Sequence, residues 1–173
     1  ISVANTAIEE VVDNGENGIL VPTLDPEAFG AAVAPLRAYR ASRLSGFATP
    51  RAVQVDLQDV YDEFAYGLSV PYAIRDFLRY AYERWQPPAP TYVALLGDGT
   101  YDPNGKVDQG VVSFLTPYLG YVDPWLGETA TDNWFVAVAG EDIWPDLFLG
   151  RMPANTLAEA DAMVDKTMRY EQS

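Results

Sequence analysis

The sequence predicts an α/β fold, a mostly parallel sheet with helices on both faces. Short apolar runs recur at Ile19–Val21, Val53–Val55, Tyr92–Leu96 and Leu147–Leu149, with amphipathic helical segments between the earlier ones and one more after the last. The run Tyr92-Val-Ala-Leu-Leu96 is continuously apolar rather than alternating, as in a strand covered on both faces. Strands that alternate with helices imply right-handed crossovers and therefore parallel pairing.

Taken in order, Ile1 to Asn17 mixes apolar residues with acids and reads as a lead-in segment, residues 1–17, with turn signals at Asp13-Asn-Gly15 and Asn17-Gly18. The α/β unit proper spans 18–173. Ile19–Val21 is a short buried strand ended by Pro22. Asp25 and Pro26 suit an N-cap and first helical position, and Phe29, Ala32, Val33, Leu36 and Tyr39 form the stripe of the helix that follows. Pro35 lies inside that helix and is expected to kink or split it, and Ser45-Gly46 to close it. Arg51–Asp56 holds a short strand and Leu57–Tyr66 a short helix, ended by Gly67. Ser69 is read as the cap of a helix over 70–85, striped by Ala73, Ile74, Phe77, Leu78, Ala81, Tyr82 and Trp85. Arg75, Asp76, Arg79 and Glu83 occupy its other face. Gln86-Pro-Pro-Ala-Pro90 stops it. Residues 104–130 have no period and read as a long loop with one short strand near Val111–Leu115. Trp134–Ala139 and Leu147–Leu149 read as strands. Thr156 with Glu159 is a capping box opening the last helix, whose stripe is Ala160, Met163, Val164, Thr167 and Met168.

A chain of 173 residues suits one compact domain. Eleven Lys and Arg against 25 Asp and Glu give a net charge of −14. That balance argues against a nucleic-acid partner, which needs clustered cations. No apolar run approaches the roughly 20 residues of a membrane span. The chain contains no histidine and no cysteine, so it carries no thiolate–imidazole chemistry and no zinc–thiolate site. It has no initiating Met, and it reads as a piece of something longer.

Two acidic segments adjoin apolar runs. Thr91–Asp102 ends a strand in Asp98 and Asp102, and Thr131–Arg151 carries Asp132, Asp142 and Asp146. Carboxylates at strand ends can line a hard-cation site. Asp98 has two readings, as a cation ligand and as an acceptor that caps the following turn. Asp132 reads as a loop brace through backbone N–H groups. Arg151 reads as the partner of an acid in a bidentate salt bridge.

The motifs in this order resemble the first half of the gingipain-like cysteine peptidases, whose catalytic domain is caspase-like. The matching stretches are Pro35-Leu-Arg-Ala-Tyr-Arg40, Val53–Phe64, Ala73-Ile-Arg-Asp-Phe-Leu78, Tyr92–Asp98 with Tyr101-Asp102, Thr131-Asp-Asn-Trp-Phe135, Asp146–Pro153 and Asp165–Glu171. The resemblance implies a caspase/gingipain-like subdomain, non-catalytic in itself. The catalytic His and Cys are expected in a C-terminal subdomain of the same parent chain, which would be its partner. It also implies secreted or cell-surface localisation and a structural Ca²⁺ held by Asp98, the carbonyls of Ala139 and Trp144, and the carboxylates of Asp142 and Asp146. Calcium takes six to eight hard oxygens, which such a mixture suits. No catalytic residue and no organic cofactor site is assigned to this chain.

Two other functions stay open. One is a calcium-stabilised, non-enzymatic binding module. The other is a magnesium-dependent hydrolase using Asp98 and Asp102. A shorter resemblance, over Ala7–Val33, is to the sugar-nucleotide half of retaining glycosyltransferases, and nothing downstream extends it.

Overall fold

The computed structural model describes residues 18–21, 26–44, 46–102, 106–107, 113 and 115–173. In chain order the elements are β1 (Gly18–Val21), α1 (Pro26–Ser42), β2 (Ala52–Gln54), α2 (Leu57–Ala65), α3 (Pro71–Arg84), β3 (Tyr92–Leu96), β4 (Leu119–Asp123), β5 (Gly127–Ala130), α4 (Asn133–Val136), β6 (Phe148–Met152) and α5 (Leu157–Gln172). The expected lead-in over 1–17, the Asp25 cap, Ser45 and most of the expected strand at 111–115 lie outside the described residues.

β2, β1, β3 and β6 form one four-stranded sheet in that order. Every pair in it is parallel, with Ile19 opposite Val53 and Val93, and Leu95 opposite Arg151. The expected fold class is therefore the observed one. β3 is one of the two inner strands, and its side chains feed two cores in alternation. Val93 and Leu95 join Leu57, Val60, Tyr61, Ile74, Phe77, Leu78 and Phe135 beneath α2, α3 and α4. Leu96 faces the opposite way, into Phe29, Val33, Leu36, Ala160 and Val164 of α1 and α5. This is why the run at 92–96 is apolar without alternation. Full burial of each such large side chain is worth about 1.5–3 kcal/mol.

Local chemistry explains the boundaries. Asp56 caps α2, its carboxylate accepting from the Gln58 N–H at 2.7 Å. Tyr66 ends α2 in the left-handed region at φ 54°, a residue earlier than the expected Gly67. α3 is capped differently from expectation. Val70 holds the N-cap position with no side-chain bond, and Pro71 stands next as a pre-organised first residue. Thr156 caps α5 through Glu159 N–H at 3.2 Å. The Glu159 carboxylate reaches back one residue further than in the usual box, to Asn155 N–H at 2.7 Å. Pro35 does not split α1, which runs unbroken from Pro26 to Ser42. Pro35 and Ala31 both face solvent, so water can serve the carbonyl that the missing N–H leaves.

Two further expectations change. Residues 119–130 are not loop but an antiparallel hairpin, β4 with β5. Its turn is built by Asp123, whose carboxylate accepts from Trp125 N–H at 2.8 Å and Leu126 N–H at 2.7 Å. Gly127 then takes φ 64°. Trp134–Ala139 is not a strand. It is the single turn α4 followed by irregular chain, because side chains rather than a neighbouring strand satisfy its backbone.

Candidate functional site: the Ala139–Asp146 turn and the carboxyl end of the sheet

The carboxylates singled out in the sequence fall into two places. β6 pairs with β3 in parallel register, Phe148 opposite Tyr92 and Met152 opposite Leu96. Asp98 lies beyond the last of these pairs and Asp146 before the first. At about 3.3 Å per residue they stand some 20 Å or more apart. Asp98 therefore does not join the turn that carries Asp142 and Asp146, and the expected five-residue ligand set is corrected to two separate groups.

At the carboxyl end, Asp98 is engaged on both oxygens. Oδ1 accepts from Gly99 N–H at 2.8 Å, and Oδ2 from the Asn155 side-chain amide at 3.1 Å. Its backbone N–H donates to Ala154 O at 3.2 Å. These bonds tie the end of β3 to the entry of α5, which is the turn-acceptor reading. Asp102 accepts from Val107 N–H. Among the described residues no three acidic side chains gather where one metal ion could sit.

Beside Asp98, Arg151 is held as the sequence suggested. Its Nε and Nη2 donate to the two oxygens of Asp132 at 2.7 and 2.6 Å, and its Nη1 to Gly97 O at 3.0 Å. Asp132 thus braces the loop through a guanidinium rather than through backbone N–H groups, and its side chain makes no cap bond to α4.

At the other end the chain folds on itself. Asp146 N–H donates to Val136 O at 2.8 Å. Asp146 Oδ2 accepts from Val138 N–H at 2.8 Å and Ala139 N–H at 2.7 Å. Asp142 Oδ1 accepts from Trp144 N–H at 3.0 Å. Gly140 takes φ 69°, which lets the chain reverse. Residues 140–146 are all exposed, Ile143 and Trp144 included.

Among the described residues the Trp144 carbonyl, Asp142 Oδ2 and Asp146 Oδ1 accept no hydrogen bond, while the Ala139 carbonyl closes the turn at Gly140 and Glu141 toward Asp142 N–H. With the Ala139 carbonyl these make four hard oxygens, three of them uncommitted, in a segment of eight residues, with neither sulfur nor imidazole nearby. That donor chemistry fits calcium with water completing the shell, and does not fit zinc.

Two residues that the sequence reading placed on an outer polar face belong to this region. Arg75 donates to Ala137 O through Nε at 3.2 Å and Nη2 at 2.6 Å. Arg79 donates to Val138 O through Nε at 3.1 Å. The Arg75 guanidinium also lies 4.6 Å from the centre of the Trp134 ring, which stacks on Tyr118 at 3.8 Å and 6°. The available signal was their spacing, two arginines one helical turn apart.

The sequence model of peptidase family C25 matches residues 15–173. Among solved structures, the chain is similar to dimeric latent PorU from Porphyromonas gingivalis, with 26% identity and a TM-score of 0.67, over 89% of this chain and 15% of that one. It shares the fold of RgpB in the complex of its pro- and mature domains from the same organism, at 18% identity and a TM-score of 0.62, over 89% of this chain and 29% of that one. It also shares the fold of the Arg-specific cysteine proteinase gingipain R, at 19% identity and a TM-score of 0.59, over 91% of this chain and 28% of that one. The chain thus spans less than a third of the length of each of these structures. No curated protein sequence matches it.

Proposed function

This chain belongs to peptidase family C25, the gingipain-like cysteine peptidases, and we propose that it is the non-catalytic N-terminal subdomain of a cysteine endopeptidase. The observation that carries the reading is a family match over 15–173 in a segment with no cysteine and no histidine. Thiol proteolysis needs a thiolate and a base to activate it. Both then come from a C-terminal catalytic subdomain of the same parent chain, and the parent is secreted or displayed at the cell surface. Among the described residues the outer edge of β6 pairs with no strand, and Phe148 on that strand is 67% exposed. An uncovered edge of this kind is a natural seat for a neighbouring half. No helix of the described residues is long and apolar enough to cross a membrane.

The test is cleavage of fluorogenic Arg and Lys peptides by the chain alone and by the chain with its parental remainder. The chain alone is expected to be inert and the reconstituted pair active. Hydrolysis by the chain alone ends the reading.

The turn Ala139–Asp146 is proposed as a structural calcium site, with Asp142 and Asp146 as carboxylate ligands, the carbonyls of Ala139 and Trp144 beside them, and Asp98 outside it. Calcium but not magnesium should raise the melting temperature, and Asp142→Ala should abolish the rise. An undiminished rise in that variant refutes the site.

A further inference from the structure

Resting on the calcium reading of the Ala139–Asp146 turn, we propose that Arg75 and Arg79 of α3 are positioning residues for that turn. They lock the chain leading into it.

The segment Val136–Ala139 is gripped from two sides. Asp146 takes the amides of Val138 and Ala139, and its own N–H takes the Val136 carbonyl. The arginines take the next two carbonyls, Arg75 with two donors on Ala137 O and Arg79 with Nε on Val138 O. Among the described residues no side chain donates to Ala139 O, the next carbonyl of the run, which faces the turn at Gly140 and Glu141. Positions 75 and 79 are four residues apart on a helix that is buried on its other side by Ile74, Phe77 and Leu78. Both guanidinium groups therefore rise from one rigid face. Arg75 is fixed further by its place over Trp134, itself held by Tyr118 and by the edge of Tyr72 at 5.0 Å.

Two consequences follow for a cation. The Ala137 and Val138 carbonyls are closed to it, since each already accepts from a group of like charge. The remaining oxygens belong to a chain whose entry is ordered before binding, so less conformational freedom is lost on binding. Without the arginines the turn would have to be ordered by the ion itself.

The experiment titrates the chain with Ca²⁺ by calorimetry, and with Tb³⁺ sensitised through Trp144. It compares the unaltered chain with Arg75→Ala, Arg79→Ala, Arg79→Gln and Arg84→Ala. Arg84 is exposed in the last turn of α3 and makes no bond to the turn, so its variant reports loss of charge alone. Arg79→Ala and Arg75→Ala are expected to weaken binding at least tenfold. Arg79→Gln, which keeps an N–H donor, should recover part of that loss, and Arg84→Ala should change it less than twofold. Amide exchange at Val138 and Ala139, measured without metal, should quicken in the two alanine variants. Affinity unchanged in both alanine variants overturns the positioning role. So does an equal loss in Arg84→Ala. If Arg79→Ala does not fold, Arg79→Gln decides by the same criterion. Failure of the unaltered chain to bind either ion overturns the calcium reading itself, and this proposal with it. That outcome is distinct from binding that ignores the arginines.

Discussion

Replacing Arg151 by Met keeps the apolar stem of the side chain and removes the three hydrogen bonds it makes to Asp132 and Gly97 O. The Arg151 side chain is 15% exposed and that of Asp132 31%. Removing one partner of a fully buried pair costs about 3–5 kcal/mol, because a charge is left unpaired in the interior. Asp132 keeps partial access to water, so the figure drops to about 2–3 kcal/mol after screening. For a domain of this size each kcal/mol lowers Tm by about 2–4 °C, which gives a fall of about 4–12 °C. Urea unfolding followed by circular dichroism measures the loss as a shift of midpoint at constant slope. Asp132→Asn and the double variant complete a cycle. If the pair acts as the geometry implies, the coupling term should be about 1–3 kcal/mol. A midpoint for Arg151→Met equivalent to less than about 0.5 kcal/mol, or a cycle additive within that margin, would refute the reasoning.

Two more predictions come from groups whose protonation the fold shifts. Asp56 is raised above its ordinary value chiefly by burial, with Asp59 and Asp62 adding to the rise and its backbone hydrogen bonds opposing it. Its stability contribution is therefore present below the unfolded pKa near 4 and is lost as pH rises through the folded value. Asp56→Asn keeps the acceptor for Gln58 N–H without the charge, so it should match or exceed the original stability at pH 7. Asp56→Ala loses the cap and should cost about 1 kcal/mol at the same pH; urea midpoints at pH 7 and 3.5 separate the two, and a destabilised Asn variant counts against the argument. Tyr61 is also raised above its ordinary value, first by burial and against the pull of its bond to Thr116. Its contribution is full below about pH 10 and is lost as pH climbs through the folded value. Tyr61→Phe should flatten that alkaline loss while changing stability at pH 7 by under about 1 kcal/mol, since the bond it removes is 3.4 Å long; thermal melts between pH 8 and 11 give the comparison.

The parts legible in the sequence were those whose signal is local and repeated. The stripe Ala73, Ile74, Phe77, Leu78, Ala81 is the buried side of α3. The continuous run at 92–96 is one of the two inner strands of the sheet. Thr156 with Glu159 marks the start of α5 to the residue. What was missed depends on partners distant in sequence. Trp134–Ala139 has the composition of a strand, yet Arg75 and Arg79, about 60 residues upstream, take the carbonyls a strand would have offered to a neighbour. The hairpin at 119–130 has little alternation to read, because its tip is set by one Asp123 carboxylate and one glycine at positive φ. The separation of Asp98 from Asp142 and Asp146 is a matter of register, visible only once β6 is laid beside β3.

The net charge of −14 invites a search for a cation site wherever acids gather. The structure shows why several of them are poor candidates. Asp56 closes the start of α2, Asp123 turns the hairpin and Glu159 closes the start of α5. Asp98 ties β3 to Asn155, and Asp132 holds Arg151. Asp98 and Asp132 have both oxygens committed to N–H donors, which a cation would have to displace, and Asp56, Asp123 and Glu159 have at least one each committed as a cap or turn acceptor. An acid that ends a strand is favoured there because it supplies acceptors where the ladder stops. Strand-end position alone therefore cannot distinguish a ligand from a cap. What sets the turn at 139–146 apart is that two half-committed carboxylates lie within one short segment. It keeps one free oxygen on each of two carboxylates and a free Trp144 carbonyl, while the peptide groups leading into it are satisfied by Arg75, Arg79 and Asp146. If a cation stabilises this subdomain, its effect should vanish with Asp142 and survive the loss of the Asp98 carboxylate.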